Sequence, residues 1–366
     1  MKTAYTLPIF DNPAKNEISR QAQFPCLCLC NDKTLLSSFV IGTAPESVDS
    51  TSYISKSTDG GKTWSEPKKM FDQMAFGTVM SDCCKLTLLP DGRIIALGYG
   101  FLRENPELPE GNINGGLLDD VVFCSFSDDN GETWSEPKEI ECYWGRHVEA
   151  SAPLIITDDN DLIAPITGFC DWDGKMTGKI CGRVLRSADM GKTWDDKCVC
   201  MDFSPDEVLC FEQRMCKLES GTLVCIGWNE NTKTGERYPN HFTFSTDNGK
   251  TWSKPQSTGI MGQASSVCAL DGERLLSLHS LRRDTDTPGI YGCIVDFSKK
   301  TWNIVEEKLL WQPETPIVKN KNSAEIFAYL KFGQPSAIKI DDNALLMTHW
   351  CSENEQYKTV VSRIEL

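Results

Sequence analysis

The sequence predicts an all-β fold, a six-bladed β-propeller spanning residues 1–366 as one domain, and three observations predict it. A short phrase recurs four times, a triplet of strand-like runs recurs six times, and a worn copy of the phrase stands where the fifth unit needs one. The phrase is Ser-x-Asp-x-Gly-x-Thr-Trp. It reads Ser57-Thr-Asp-Gly-Gly-Lys-Thr-Trp64, Ser127-Asp-Asp-Asn-Gly-Glu-Thr-Trp134, Ser187-Ala-Asp-Met-Gly-Lys-Thr-Trp194 and Ser245-Thr-Asp-Asn-Gly-Lys-Thr-Trp252. The Trp residues are 70, 60 and 58 positions apart, a period that marks repeated supersecondary units. Within each copy the Asp carboxylate accepts local backbone N–H bonds and Gly supplies a positive φ, which is turn chemistry. Strand-like residues flank each copy, so each reads as a hairpin tip whose Trp packs on a neighbouring unit. These copies are read as scaffold.

The first strand-like runs are Phe24–Cys30, Cys83–Leu89, Ala152–Thr157, Arg214–Leu218, Ser265–Leu270 and Ser336–Ile340. Each is followed by a polar turn and a second apolar run, beginning at Asp32, Asp91, Asn160, Ser220, Gly272 and Asp342. Third runs follow at Ser52–Lys56, Val121–Phe126, Cys181–Arg186, His241–Phe244, Ile290–Phe297 and Tyr357–Ile364, and the hairpin phrase comes next where present. In the fifth unit only Ser298-Lys-Lys-Thr-Trp302 survives. Three strands, a hairpin and a fourth strand, six times over, describe propeller blades, and radial closure hides the sheet edges. The N-terminal Ala4–Phe10 run is expected to supply the outer strand of the last blade.

Composition narrows the function. A hydrophobic share of 40% and a charged share of 24% are ordinary for a packed soluble domain. No apolar run reaches the length of about eighteen residues that a membrane helix needs. The net charge of −15 argues against nucleic acid and against an anionic membrane surface. It also makes any anionic substrate depend on a local cluster of Arg. Seventeen cysteines without Cys-x-x-Cys pairs read as reduced, buried thiols. With a start that lacks a signal-peptide core, they give the expectation of a cytoplasmic protein. Four His residues without ligand spacing point to no metal, and nothing in the sequence calls for a cofactor.

In a propeller the loops that lead into first strands, and those that join second to third strands, open together around the axis, the default place for a pocket. The chemistry-bearing residues expected there are Arg20, Gln23, Asp82, His147, Glu149, Glu212, Arg214 and Gln334 on the first group. The second group adds Asp49, Arg103, Trp228, Arg237, Tyr238 and Arg283. Acids, Arg, amides and Trp suit a carbohydrate: polar groups bond hydroxyls and indole faces stack on C–H faces. By the two-residue strand period, Glu212 is expected beside Arg214, and His147 beside Glu149. The insertion Gly100–Asp120 is either a lid, a substrate-lining segment or a mobile surface loop.

The hairpin phrases and the six-unit count resemble the sialidase (neuraminidase) superfamily, whose members contain such Asp-box repeats. The resemblance implies three Arg on a substrate carboxylate, a Tyr nucleophile paired with Glu, and an Asp acid/base. It is partial at the diagnostic positions. The early Arg-Ile-Pro is here Gln23-Phe-Pro25, and Arg20 stands nearby. Asp49 matches the Asp, Glu212 the Glu, Arg214 or Arg237 the second Arg, and Arg282 or Arg283 the third. Gln334 stands where the Tyr is expected, with Tyr329 close by. The resemblance implies a glycoside hydrolase acting on a small or terminal, possibly anionic, sugar through paired carboxyl groups. Glu212 is the leading catalytic candidate, paired with Asp82 or Asp49. Alternatives are a lyase on uronic-acid glycans, with His147 or Tyr238 as base, and a carbohydrate-binding propeller without catalysis. The sequence leaves the oligomeric state open.

Overall fold

A computed structural model describes the whole chain except residues 12–20, 45, 113, 144, 232, 283–284, 315–330 and 354–355. Six antiparallel sheets follow one another along the sequence. Blade 1 holds β2 (Gln21–Leu29), β3 (Leu35–Gly42), β4 (Thr51–Ser57) and β5 (Lys68–Lys69). Blade 2 holds β6 (Met80–Leu88), β7 (Ile94–Leu102), β8 (Asp120–Ser127) and β9 (Lys138–Glu139). In blade 3 the first strand is split into β10 (Val148–Glu149) and β11 (Ile155–Ile156), both paired to β12 (Leu162–Gly168). Strands β13 (Gly182–Ser187) and β14 (Asp195–Met201) complete it. Blade 4 runs β15 (Val208–Lys217), β16 (Leu223–Asn231), β17 (Arg237–Ser245) and β18 (Gln256–Ser257). Blade 5 runs β19 (Ser265–Ala269), β20 (Arg274–Leu281), β21 (Gly289–Asp296) and β22 (Asn303–Trp311). Blade 6 takes β23 (Phe332–Asp341), β24 (Ala344–Glu353) and β25 (Gln356–Glu365), and its outer strand is β1 (Lys2–Asp11) from the other end of the chain. As expected from Ala4–Phe10, the two ends of the chain thus close one sheet.

The four hairpin phrases sit between third and fourth strands and share one hydrogen-bond set. In the second, the Ser127 hydroxyl donates to Asp129 and accepts the Gly131 N–H at 2.8 Å. The Asp129 carboxylate also accepts the Thr133 N–H and hydroxyl. The Thr133 hydroxyl, and then its N–H, hold that carboxyl down at about 2. Each box Trp packs on the blade before it. Trp64 lies with Leu346 and Val361, Trp134 with Leu36 and Ile54, Trp252 with Ile163 and Val184, and Trp302 with Phe242. The repeat is therefore a device for gluing blades, present in full in blades 1 to 4 and as a remnant in blade 5.

First strands from all six blades line a central channel of about 430 Å³, with Leu27, Leu86, Leu154, Met215, Val267 and Ala337 among its walls. The first strands are irregular where they enter the axis. Phe24, Glu212 and Gln334 have left-handed φ of 56°, 43° and 52°, each at a bulge in its strand. A bulge re-aims side chains and ends strict two-residue alternation. Three blades thus turn the same position toward the axis in the same way.

Candidate functional site

The bulge at Glu212 decides the site. Its backbone N–H donates to Glu149 Oε2 at 3.1 Å, which ties blade 4 to blade 3. Its carboxylate takes two N–H donors: Trp228 Nε1 at 2.8 Å and the Gln334 side-chain amide at 2.6 Å. The Gln334 carbonyl in turn accepts the Trp350 Nε1–H at 3.1 Å. Trp228 stacks on Phe211, with ring centroids 4.2 Å apart. Glu212 is half-buried; Glu149 behind it is buried, and its carboxyl accepts the Ser151 hydroxyl. Burial pushes the Glu149 carboxyl up, and the neighbouring Glu212 carboxylate adds to the push.

A buried cation, Arg214, lies behind the acids, and a second, Lys85, lies near it. Arg214 Nη1 donates to the Ser151 hydroxyl at 3.0 Å and to the Gln213 carbonyl at 2.8 Å. Lys85 Nζ donates to the Phe24 carbonyl at 2.5 Å, so the blade 1 bulge is held by a lysine from blade 2. Burial pulls the Lys85 amine down, and the charge of Arg214 adds to the effect. A chain of contacts therefore runs Arg214–Ser151–Glu149–Glu212–Gln334–Trp350, through blades 3, 4 and 6.

Several sequence expectations meet a different geometry. Glu212 and Arg214 do not sit side by side, because the register shift between Phe211 and Arg214 breaks the strand period. Glu149 and Ser151 link them instead. His147 and Glu149 also part company: His147 has a φ of 66° and its Nε2 pairs with Asp119 at 3.4 Å. Asp82 is buried and accepts the Thr51 hydroxyl at 2.5 Å and the Ser52 N–H at 3.1 Å, clasping blade 2 to blade 1. Asp49 is exposed and closes its own loop by accepting from the Thr43 N–H and hydroxyl and the Ser47 hydroxyl. Neither is hydrogen-bonded to Glu212; the carboxyl in contact with Glu212 is that of Glu149, through the Glu212 N–H. Arg103 is buried and anchors the blade 2 insertion, donating to the Leu108 and Glu46 carbonyls and pairing with Glu110 at 3.2 Å.

Gln23 lies half-buried just before the blade 1 bulge. Tyr238 donates to Glu236 at 3.2 Å, and Arg237 is exposed beside it on β17. Arg282 reaches the Phe332 carbonyl at 2.6 Å, next to the blade 6 bulge. Arg20, Arg283 and Tyr329 lie outside the described residues. Lys85 and Ser151 are the participants that sequence reasoning missed. A lysine inside the buried run Cys83-Cys-Lys-Leu-Thr-Leu88 was the available signal, since a buried amine is rare without a partner.

A groove of about 790 Å³ opens beside this cluster, between blades 3 and 4. Its floor includes Phe169, Phe211 and Leu209. Asn114 and Leu117 from the blade 2 insertion close one side. That insertion is pinned by the Asn112 side chain, which donates to the Trp172 carbonyl at 2.7 Å. Among the described residues, no three His, Cys, Asp or Glu side chains gather as a metal site would need. Among the same residues, no helix is long and apolar enough to cross a membrane.

The BNR repeat-like domain matches residues 119–287, from the third strand of blade 2 to blade 5. The NanB sialidase of Streptococcus pneumoniae superposes over 98% of this chain and 70% of its own, with a TM-score of 0.65 and 14% identity. The chain carries a BNR repeat-like domain within a six-bladed propeller, and its fold is like that of the sialidases. A Dyadobacter fermentans protein of unknown function superposes on this propeller over 100% of this chain and 99% of its own, at a TM-score of 0.75 and 19% identity. An α-L-arabinanase of Penicillium chrysogenum, solved with arabinobiose, covers 100% of this chain and 99% of its own, at 0.65 and 15%. No curated protein matches the BNR-repeat propeller at the level of sequence.

Proposed function

We propose that the protein is a glycoside hydrolase that works through Glu212 and Glu149. The observation that carries this reading is the junction at Glu212: two carboxyl groups meet on the axial face, one half-buried and one buried. Hydrolysis of a glycosidic bond needs one protonated carboxyl to supply a proton to the departing oxygen. It needs a second, ionised one to take a proton from water or to attack the sugar carbon. Burial and the adjacent charge push the Glu149 carboxyl up, which suits it to the role of proton donor. Glu212 is the carboxylate nearer solvent, oriented by the Trp228 and Gln334 donors. Arg214 offsets the Glu149 carboxylate from behind. The sialidases and the arabinanase that share this fold support the class of reaction.

The test is turnover of a panel of nitrophenyl and umbelliferyl glycosides, sialosides and arabinosides included. Hydrolysis of at least one, abolished in Glu212→Gln, is expected. Binding of sugars without hydrolysis of any member points instead to a carbohydrate-binding propeller. The proposal also puts the protein in a reducing compartment, since all seventeen cysteines are free thiols.

A further inference from the structure

We infer that β22, the outer strand of blade 5, binds a second copy of this chain. Two β22 strands pair antiparallel about a two-fold axis at Glu307 and join two four-stranded blades into one eight-stranded sheet. This surface belongs to the rim, since β22 is the outermost strand of its blade, whereas Glu212 lies on a first strand at the axis.

An open sheet edge invites pairing, and proteins blunt their edges with short strands, Pro, Lys or bulges. The outer strands of blades 1, 2 and 4 (β5, β9 and β18) are two residues long. In blade 6, β1 carries Pro8 and two register shifts. In blade 3, the exposed residues of β14 are Asp195 and Lys197. Blade 5 differs. β22 is nine residues long and, among the described residues, pairs with β21 alone. Ile304 is 37%, Val305 55% and Leu309 43% exposed, so one strand holds three of the nine large apolar side chains exposed among the described residues. Their exposure has a local cause. Ile304 stands opposite Val295, which packs against Phe242 of blade 4. The outer strand of blade 4 is the two-residue β18, which leaves the rim side of β22 uncovered.

The strand is complementary to its own copy. With Glu307 on the axis, Glu306 stands opposite Lys308 of the second copy, and Val305 opposite its Leu309. Each pair occurs twice, and opposite charges and apolar side chains directly across a ladder attract. Lys308 is exposed and, among the described residues, in no ion pair. Glu306 takes the Met1 amine at 2.5 Å through Oε1, which leaves Oε2 for the lysine. A half-residue shift of the axis toward Lys308 sets Glu306 against Leu309, and a half-residue shift the other way sets it against Glu307. Charge and burial therefore both select the Glu307 register. Its one repulsive pair is Glu307 with itself. The ladder spans residues 305–309: the Thr3 hydroxyl of β1 already donates to the Leu310 carbonyl at 2.6 Å, and a register shift at Val305 ends regular pairing on the other side. Such a short ladder is small beside the about 1,200–2,000 Å² that stable complexes bury, and the net charge of −15 on each copy opposes the encounter. The dimer is a weak one, with a dissociation constant on the order of 10–100 µM at about 0.15 M salt.

Sedimentation velocity of the full chain from about 1 to about 500 µM tests this. A concentration-dependent dimer is expected. Val305→Lys, Glu306→Lys and Lys308→Glu should each weaken it about tenfold or more, since each sets like charges together or an amine against an apolar partner. Combining Glu306→Lys with Lys308→Glu restores the ion pair with its signs exchanged, and the double variant should dimerise within about threefold of the parent. Glu307→Gln removes the repulsive pair and should tighten the dimer. A chain that stays monomeric over the whole range overturns the inference, including the case in which the edge pairs only with another protein. A dimer that Val305→Lys leaves unchanged overturns it too, as does a double variant as weak as its singles, because either puts the contact elsewhere. Circular dichroism and urea midpoints for each variant separate a lost contact from a lost fold.

Discussion

Asp82 gives the sharpest test of how the axial face is divided between scaffold and chemistry. It opens the first strand of blade 2, where a sequence reader expects a catalytic acid, yet it accepts from Thr51 and Ser52 of blade 1. Both partners are buried, as is Asp82 itself. Asp82→Ala orphans a backbone N–H and a hydroxyl, each at about 1–3 kcal/mol, and relieves one buried charge. A net loss of about 2–4 kcal/mol is expected. Asp82→Asn keeps an oxygen for the Ser52 N–H, and its amide donates to the Thr51 oxygen. It should fall within about 1 kcal/mol of the parent and keep full turnover. The two substitutions also differ in pH dependence. Burial raises the Asp82 carboxyl above its unfolded value, so its contribution to stability is fully present below the unfolded value. That contribution is lost as pH rises through the raised one, and the Asn variant lacks the slope. The stability difference should therefore move in favour of Asn as pH rises above the usual carboxylate range. Urea unfolding followed by Trp fluorescence at about pH 4 and about pH 7 measures both effects. An Asp82→Asn protein of normal midpoint that has lost turnover about a hundredfold refutes the scaffold assignment, as does an Ala variant as stable as the parent.

Three further outcomes follow from the same geometry. Ser127→Ala removes the acceptor of the buried Gly131 N–H and should lower stability by about 1–2 kcal/mol by urea titration, with turnover of the folded protein unchanged. Ser151→Ala deletes a hydrogen bond that favours the charged form of Glu149. The Glu149 carboxyl then rises further, and the basic limb of a pH–rate profile moves to higher pH; an unmoved limb excludes Glu149 as the titrating acid. Thiol titration should count seventeen cysteines after denaturation and few before it, because burial pushes thiols such as Cys83 and Cys142 up to about 12. Reductant-sensitive bridges in protein from its native source contradict the proposed compartment.

The scaffold was legible because it is written locally and repeatedly. Each Ser-x-Asp-x-Gly-x-Thr-Trp carries its own hydrogen-bond partners within a few residues, so reading the phrase is reading the turn. The outer strand at Lys2–Asp11 was legible by elimination, since blade 6 had three strands and needed a fourth. The site was legible by position but not by pairing. Glu212 and Gln334 lie at bulges inside first strands that begin earlier than the sequence suggests, at Val208 and Phe332, and alternation predicted the wrong neighbours. Bulges at Phe24, Glu212 and Gln334 override the period of two, and none of these left-handed positions is itself a Gly. His147 shows the same limit: a left-handed non-glycine residue detaches it from Glu149 and gives it to Asp119. Asp82 and Arg103 take partners in other loops that the sequence does not show, Thr51 and Ser52 for the one and the Glu46 carbonyl for the other. Lys85 was overlooked as a polar residue inside an apolar strand.

The carboxyl junction at Glu212 is the centre of this account, and the Glu212→Gln protein tests it most directly. The substitution keeps side-chain shape and removes the group that accepts protons or attacks carbon. With a glycoside that the parent hydrolyses, kcat should fall by at least about a hundredfold while the sugar product still binds. Turnover close to that of the parent, in a protein that binds product equally well, contradicts it.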